Sequence, residues 1–199
     1  MAATDLDPWD PLEPSEIAGL LEACKTSWWI AGGYAIDAFV GRFDRRPHGD
    51  VDVGLFARDQ ALIRACLEGW DWHCADPPGQ LRPWRPSEVL QEPIHDIWTR
   101  ERVGGPWRLQ LVLNPGQDDT WIYRRDPRIR RHVSELVSRS DGIPYLVPEV
   151  QLLFKSKTAR TKDEQDFEDS LPLLSTRQRT WLREALDLSA PKHPWLDRV

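Results

Sequence analysis

Two carboxylates, Asp50 and Asp52, are separated by one apolar residue, Val51. The valines and leucine that follow predict a β-strand over Asp50–Phe56. Side chains along a strand alternate between its two faces, so both carboxylates are expected on the same side. Adjacent carboxylates repel each other unless a cation lies between them, and Mg²⁺ prefers oxygen ligands while keeping waters and substrate phosphates in its shell. The pair therefore predicts a magnesium site.

A double glycine, Gly32-Gly33, precedes the carboxylates, and Arg46 and His48 lie between the two motifs. Glycine permits positive φ and a close approach of the backbone to a ligand. Taken alone, a glycine pair most often marks an ordinary turn, and two strand aspartates most often mark an exposed face. Their combination at this spacing is far more specific than either motif alone.

The order strand, Gly-Gly turn, helix and Asp-x-Asp strand resembles the nucleotidyltransferase superfamily that includes DNA polymerase beta. Within it, residues 32–52 are most similar to the branch of aminoglycoside 2″-adenylyltransferases and lincosamide nucleotidyltransferases. That branch has a Gly-Gly-x-Ala-x-Asp turn, an Arg-x-His before the carboxylates and the Asp-x-Asp strand. The similarity is specific over Trp29–Phe56, and the pattern from Tyr145 to Asp166 also resembles the helical portion of the branch.

The resemblance implies an α+β fold with a nucleotidyltransferase-like mixed β-sheet flanked by helices and a helical C-terminal portion. It implies Mg²⁺-dependent transfer of AMP, or another nucleoside monophosphate, from ATP or another nucleoside triphosphate. The acceptor would be a hydroxyl of a small molecule similar to an aminoglycoside or a lincosamide. Such transfer requires positioning and charge neutralisation more than covalent chemistry from the protein.

The resemblance also implies roles for individual residues. Asp50 and Asp52 would hold Mg²⁺ and act in catalysis. The triphosphate would be bound by residues of the glycine turn, the Arg-x-His and the C-terminal helix: Gly32, Gly33, Arg46, His48 and Lys157. Backbone N–H groups at the glycines can face phosphates, and an arginine offers a planar pair of donors. Lys157 is chosen over Lys155 because it shares a predicted helix side with Val150 and Phe154.

A third carboxylate, often the general base for the acceptor hydroxyl, normally comes from a later strand in this superfamily. Gln110 stands at that place here. A neutral amide is a poor magnesium ligand beside carboxylates and cannot act as a base at neutral pH. We expect Asp96, on the neighbouring strand, to replace it if Asp96 lies across from Gln110 on the same face. Otherwise the base is Glu149 or Glu92, or turnover is weakened or absent.

Two other functions stay open. The basic run Arg124–Arg131 suggests contact with RNA or phosphates, and hence transfer to a tRNA or protein hydroxyl. The formal net charge of −6 argues against a dedicated nucleic-acid binder, so we favour a loop that pairs with acidic parts of the chain. Gln110 motivates the third function, a nucleotide-binding or structural protein without catalysis.

The surrounding sequence predicts the elements that position these residues. The predicted helices are Ser15–Cys24, Tyr34–Val40 with Gly41 after it, Arg58–Glu68, and C-terminal helices from Pro148 onward, two of them opened by the capping boxes Thr161/Glu164 and Ser175/Gln178. The predicted strands are Trp28–Ala31, Asp50–Phe56, Trp70–Cys74, a hairpin of Ile94–Glu101 with Trp107–Asn114, and an edge strand Trp121–Arg124. Residues 75–93 are predicted to be a loop. We expect a nucleotidyltransferase-like domain over residues 1–146, with a helical portion over residues 147–199 packed on it.

Bulk properties set limits on the class of protein. The 199 residues suit one compact domain, or one domain with a small helical extension, and no apolar run has the length of a membrane span. The acidic N-terminal residues lack an apolar signal core, which predicts a cytoplasmic protein. Three cysteines, Cys24, Cys66 and Cys74, show no metal-ligand spacing and are expected to be buried reduced thiols. The sequence does not specify the oligomeric state.

Overall fold

The structure is a computed structural model that describes residues 8–43, 47–158 and 160–199. The described chain forms two compact units. Unit 1 combines residues 8–30 with 48–116, and unit 2 combines residues 31–43 and 47 with 117–158 and 160–199. This division interleaves the chain and differs from the predicted boundary at residue 147, which stays a prediction.

The secondary structure alternates helices with strands over the first third of the chain, continues with a series of strands and ends in a run of helices. The helices are α1 Pro14–Leu21, α2 Gly32–Val40, α3 Gln60–Cys66, α4 Pro148–Lys155, α5 Thr161–Ser170 and α6 Thr176–Ser189. The strands are β1 Trp28–Ile30, β2 Asp52–Phe56, β3 Asp71–Ala75, β4 Leu81–Pro83, β5 Asp96–Arg100, β6 Leu109–Asn114, β7 Gly116–Gln117, β8 Thr120–Ile122, β9 Arg130–His132, β10 Val137–Ser140 and β11 Ile143–Leu146. The predicted α+β class is confirmed. Within the described residues no helix is long and apolar enough to cross a membrane.

Unit 1 is built on six strands in the spatial order β1-β2-β6-β5-β3-β4. The pair β2–β6 is parallel and the other neighbours are antiparallel, so the sheet is mixed. The predicted hairpin is confirmed as β5–β6. The predicted loop over residues 75–93 is wrong at one place, because β4 pairs with β3 there.

One face of this sheet carries the apolar core of unit 1. Along β6 buried leucines alternate with the half-buried Gln110 and Val112, whereas β2 is buried from Val53 to Phe56. The fully or nearly fully buried members are Val51, Val53, Leu55, Leu109, Leu111 and Leu113. Ile97 of β5 and Ile17 of α1 are also fully buried. On the opposite face the side chains of Asp52, Asp96 and Gln110 are only half-buried.

A cysteine pair in unit 1 corrects a prediction. Cys24 and Cys66 form a disulfide with a Cα–Cα distance of 5.7 Å, whereas Cys74 is a buried free thiol. The expectation of three reduced thiols is therefore wrong for two of them. The two cysteines are 42 residues apart in the chain, a separation that gives no local signal of the bond, and both lie in unit 1.

Unit 2 contains the helices α2, α4, α5 and α6. The helix α4 packs against α2, α5 and α6. The core of the unit includes Ile36, Leu152, Phe167, Leu186 and Trp195, and the rings of Phe167 and Trp195 stack with centroids 4.1 Å apart. This arrangement makes α4 the central helix of unit 2.

The hairpin β10–β11 was not predicted. Its turn residues, Asp141 and Gly142, both have positive φ, at 50° and 81°. An Asp-Gly pair between two short strands is the usual signal for a hairpin turn of this kind. The Asp141-Gly142 pair is visible in the sequence, so this hairpin could have been predicted from it.

The helix ends follow the predicted signals in part. Gly41 has φ 73° and ends α2, and the box of Ser175 with Gln178 caps α6, so both predictions are confirmed. The box of Thr161 with Glu164 is wrong. Arg160 precedes α5 without a side-chain cap, and Glu164 instead accepts a hydrogen bond from Trp195 Nε1 at 2.6 Å.

Candidate functional site

The two aspartates lie at the start of β2 in unit 1. Asp50 lies two residues before the strand and is exposed, whereas Asp52 is the first residue of the strand and is half-buried. Val51 and Val53 are fully buried. The alternation therefore directs Asp50 and Asp52 away from the core, on one side of the chain. The carbonyl of Val51 accepts a hydrogen bond from the Gln110 backbone N–H at 3.1 Å, which ties this segment to β6.

The neighbouring strands bring two further polar side chains to the same face. The parallel register pairs Asp52 with Gln110, and the antiparallel register pairs Gln110 with Trp98 and Val112 with Asp96. Gln110 Nε2 donates a hydrogen bond to Asp96 Oδ1 at 2.8 Å. Asp96 thus shares the face of Gln110 as expected, but it lies diagonally across, because the directly opposite position belongs to Trp98.

The donor set of this face suits magnesium. Among the residues that the structure describes, no group of three or more His, Cys, Asp or Glu side chains has the arrangement of a metal site. Transition metals generally need such a group, whereas Mg²⁺ is commonly held by one or two carboxylates together with waters and substrate phosphates. Asp50 and Asp52 meet that lower requirement.

The glycine turn lies in unit 2, at the start of α2. Gly32 has φ 68°, a left-handed conformation that favours glycine. Its N–H donates to Gln151 Oε1 of α4 at 2.8 Å, and both residues are buried. The N–H of Gly32 is therefore used within the protein. Sequence reasoning missed Gln151, because its contact with a residue 119 positions away has no local signal.

The two lysines of the C-terminal portion have different environments. Lys155 is buried at the end of α4, and its Nζ lies 2.7 Å from Asp166 Oδ2 and 3.3 Å from Asp163 Oδ1. Lys157 is exposed and follows the end of α4. The choice of Lys157 from its position on a helix therefore loses its basis, since the helix ends at Lys155.

The remaining predicted site residues differ in their burial and in whether the structure describes them. His48 is half-buried at the start of the second segment of unit 1, and Arg46 lies outside the described residues. Of the two other bases considered, Glu92 is exposed in a loop. Glu149 is almost fully buried, with Arg131 Nη2 2.7 Å away and Gln178 Nε2 2.9 Å away. These contacts make Glu149 a structural residue of unit 2.

Arginines of the basic run Arg124–Arg131 form hydrogen bonds and ion pairs within unit 2. Arg125 donates to the carbonyl of Phe154 at 2.8 Å, and Arg128 pairs with Asp126 at 2.6 Å. The Arg128 guanidinium holds the pKa of the Asp126 carboxyl below its ordinary value. Together with the pairing of Arg131 described above, these contacts confirm that the run pairs with acidic and carbonyl groups of the chain itself.

Sequence comparison identifies a related family over part of the chain. Residues 15–76 match the family model described as aminoglycoside-2″-adenylyltransferase. The match spans less than half of the chain and includes Gly32, Gly33, Asp50 and Asp52, but not Asp96 or Gln110. No curated protein gives a significant match.

Solved structures extend the similarity to most of the chain. The lincosamide antibiotic adenylyltransferase LnuA, with lincomycin bound, is 22% identical over 78% of this chain and 92% of its own, with a TM-score of 0.52. The antibiotic-resistance factor ANT(2″)-Ia in solution is 18% identical over 86% of this chain and 88% of its own, with a TM-score of 0.56. The same factor in complex with adenylyl-2″-tobramycin is 16% identical over 86% and 93%, with a TM-score of 0.54. At these identities the matches establish a shared fold.

The family model and the shared fold confirm the predicted resemblance to the antibiotic adenylyltransferase branch of the nucleotidyltransferases. The matched family and LnuA are adenylyltransferases, and ANT(2″)-Ia is an antibiotic-resistance factor.

Proposed function

We propose that this relative of the antibiotic adenylyltransferases moves AMP from ATP, or another nucleoside monophosphate from its triphosphate, to a hydroxyl of a small-molecule acceptor. The observation that carries the proposal is the set of Asp50, Asp52, Gln110 and Asp96 on one face of the unit 1 sheet. The acceptor class we favour is an antibiotic of the aminoglycoside or lincosamide kind, after the ligands of the structural neighbours. Because its donor is a nucleoside triphosphate, we also propose a cytoplasmic location.

The proposed roles follow from residue chemistry. Asp50 and Asp52 would hold Mg²⁺, which would neutralise phosphate charge and favour attack at the α-phosphorus. The N–H of Gly33, together with Arg46 and His48, binds the triphosphate. Gly32 contributes the turn conformation.

Asp96 is the proposed general base. It takes the proton of the acceptor hydroxyl while the hydroxyl oxygen forms a bond to the α-phosphorus. The bond from the α-phosphorus to the bridging oxygen breaks, and pyrophosphate leaves with that electron pair. A carboxylate near neutral pH can accept this proton, whereas the amide of Gln110 cannot.

The first test is nucleotide binding and turnover with Asp50→Ala. We expect the wild-type protein to bind ATP in a Mg²⁺-dependent manner and to release pyrophosphate with tobramycin or lincomycin as the acceptor. Asp50→Ala should abolish both, because a single carboxylate is a weak magnesium site. Calorimetry and a pyrophosphate assay measure the two effects. Unchanged ATP affinity and turnover in the variant would refute the proposed role.

A protein without catalysis is the second candidate, and Gln110 at the place of the usual third carboxylate favours it. It predicts no pyrophosphate release with any acceptor. The discriminating variant is Gln110→Asp, which places a carboxylate beside Asp52 in the observed register. Turnover that appears only in this variant would support the non-catalytic function of the natural protein.

Transfer to a tRNA or protein hydroxyl has less support, because the basic run is engaged within unit 2. Labelled nucleotide on RNA or protein, in place of a small molecule, would reverse this preference.

A further inference from the structure

Gln110 occupies the centre of the polar face in unit 1. Its neighbour on β2 is Asp52, and its directly opposite neighbour on β5 is Trp98. The indole of Trp98 is held by ring contacts with Trp9 and Trp107, at centroid distances of 4.9 and 5.6 Å. The position across from Gln110 is therefore filled by a large ring with fixed neighbours.

This filled position directs the amide of Gln110 along the strand toward Asp96. Diagonal neighbours of an antiparallel pair lie within reach of a long side chain, and the observed bond from Gln110 Nε2 to Asp96 Oδ1 is 2.8 Å. A neutral donor bonded to a carboxylate forms a charge-assisted hydrogen bond, which is stronger than a bond between neutral groups. The bond restricts the rotation of the Asp96 carboxylate without adding a charge beside Asp52.

We propose that Gln110 is a positioning residue that orients the carboxylate of Asp96 toward the acceptor hydroxyl, a role that rests on the proposed function above. An amide is suited to this task at this place. A carboxylate at residue 110 would repel Asp96, whereas an aliphatic side chain would remove this hydrogen bond. Gln110 thus acts through Asp96 and contributes neither a ligand nor a base.

The test is a double-mutant cycle on turnover with Gln110→Leu and Asp96→Asn. In the tobramycin or lincomycin assay, Gln110→Leu should lower kcat about tenfold to a hundredfold, because misplacement of a reacting group by about an ångström has effects of this size. The KM for ATP should change less than twofold. In the Asp96→Asn background, Gln110→Leu should cause no further loss, since a residue that acts through Asp96 has no effect without it.

The matched control is Gln165→Leu. Gln165 Nε2 donates to Asp169 Oδ1 at 2.9 Å in unit 2, so this variant removes the same type of bond from an exposed face of α5. Its kcat should equal that of the wild-type protein. Losses that add in the double mutant, or an unchanged kcat in Gln110→Leu, would overturn the positioning role.

A second measurement keeps this role distinct from the proposed function. The side-chain amide signals of Gln110 in ¹⁵N NMR, assigned by comparison with Gln110→Leu, should shift on Asp96→Asn, while the signals of Gln165 stay in place. If the wild-type protein shows no turnover but its Gln110 signals shift on Asp96→Asn, the proposed function is refuted. The Gln110–Asp96 hydrogen bond is then present without a catalytic use. Gln110 signals that do not respond to Asp96→Asn would overturn the positioning role even in an active protein.

Discussion

At the scale of single residues, the structure separates side chains that the sequence presents as equivalents. Lys155 and Lys157 are two residues apart, but the first is buried between carboxylates and the second is exposed. Gly32 and Gly33 are adjacent, but the N–H of Gly32 is used by Gln151. In each pair the distinction depends on a partner from another element.

The lysine pair yields a stability prediction. Lys155→Ala should lower the free energy of unfolding by roughly 3–5 kcal/mol, because it leaves the fully buried Asp163 and Asp166 without their shared cation. Burial alone would raise the pKa of Asp163, but Arg160 and Lys155 outweigh it and hold that pKa below its ordinary value. Urea unfolding measures the loss.

Lys157→Ala is the control for this prediction, since an exposed substitution usually changes stability by less than about 0.5 kcal/mol. Equal losses in the two variants would contradict the assignment of Lys155 to the buried ion cluster. Loss of ATP binding in Lys157→Ala at unchanged stability would support the original nucleotide-binding prediction for Lys157.

At the scale of elements, the close approach of β1 to β2 shapes the strand that carries Asp52. Trp29 pairs with Gly54, and the Trp29 indole lies across the glycine. A Cβ at residue 54 would lie 2.1 Å from Trp29 Nε1. Gly54 shares the face of Asp52 by the periodicity of two, so the Trp29 indole packs on that same face of β2.

Gly54→Ala should therefore lower the free energy of unfolding by about 1–3 kcal/mol, as overpacking does in a dense core. Displacement of the indole should also quench or shift the fluorescence of Trp29. Gly19→Ala is the control, because a Cβ there meets nothing within 4 Å and the residue lies in α1. That change should raise stability by roughly 0.5–1 kcal/mol. A neutral Gly54→Ala would show that β1 can move away from β2 at little cost.

At the scale of the whole molecule, the chain is divided into two units, and a disulfide lies within one of them. Cys24 follows α1 and Cys66 ends α3, so the bond links two helices of unit 1. Cytosolic thiols are usually kept reduced, which bears directly on the proposed cytoplasmic location. The redox state of this pair is therefore informative about both the stability and the location of the protein.

Reduction of Cys24–Cys66 should lower the free energy of unfolding by roughly 2–4 kcal/mol, since the bond closes a long loop in the unfolded chain. Thermal unfolding with and without dithiothreitol measures the change. The control is the double variant Cys24→Ser/Cys66→Ser, whose melting temperature should not respond to the reductant. A wild-type melting temperature that is equally insensitive, with three titratable thiols in the unfolded chain, would show that the bond is absent in solution.

The sequence alone determined the parts of this protein that depend on local pattern. The periodicity of two placed Asp50 and Asp52 opposite the buried valines, the β5–β6 hairpin followed from its glycine turn, and Gly41 ended α2 as predicted. The motif over Trp29–Phe56 also identified the related family. These signals each lie within a single segment of the chain, so they can be read without knowing which distant segments pack together.

Only the tertiary structure decided which distant groups meet. The diagonal bond from Gln110 to Asp96 depends on the register of β5 against β6 and on the ring of Trp98. The bond from Gln151 to Gly32, the burial of Lys155 and the pairing of Cys24 with Cys66 likewise join separate elements. Such contacts arise from the packing of whole helices and strands, because the spacing of two residues along the chain does not fix their distance in space.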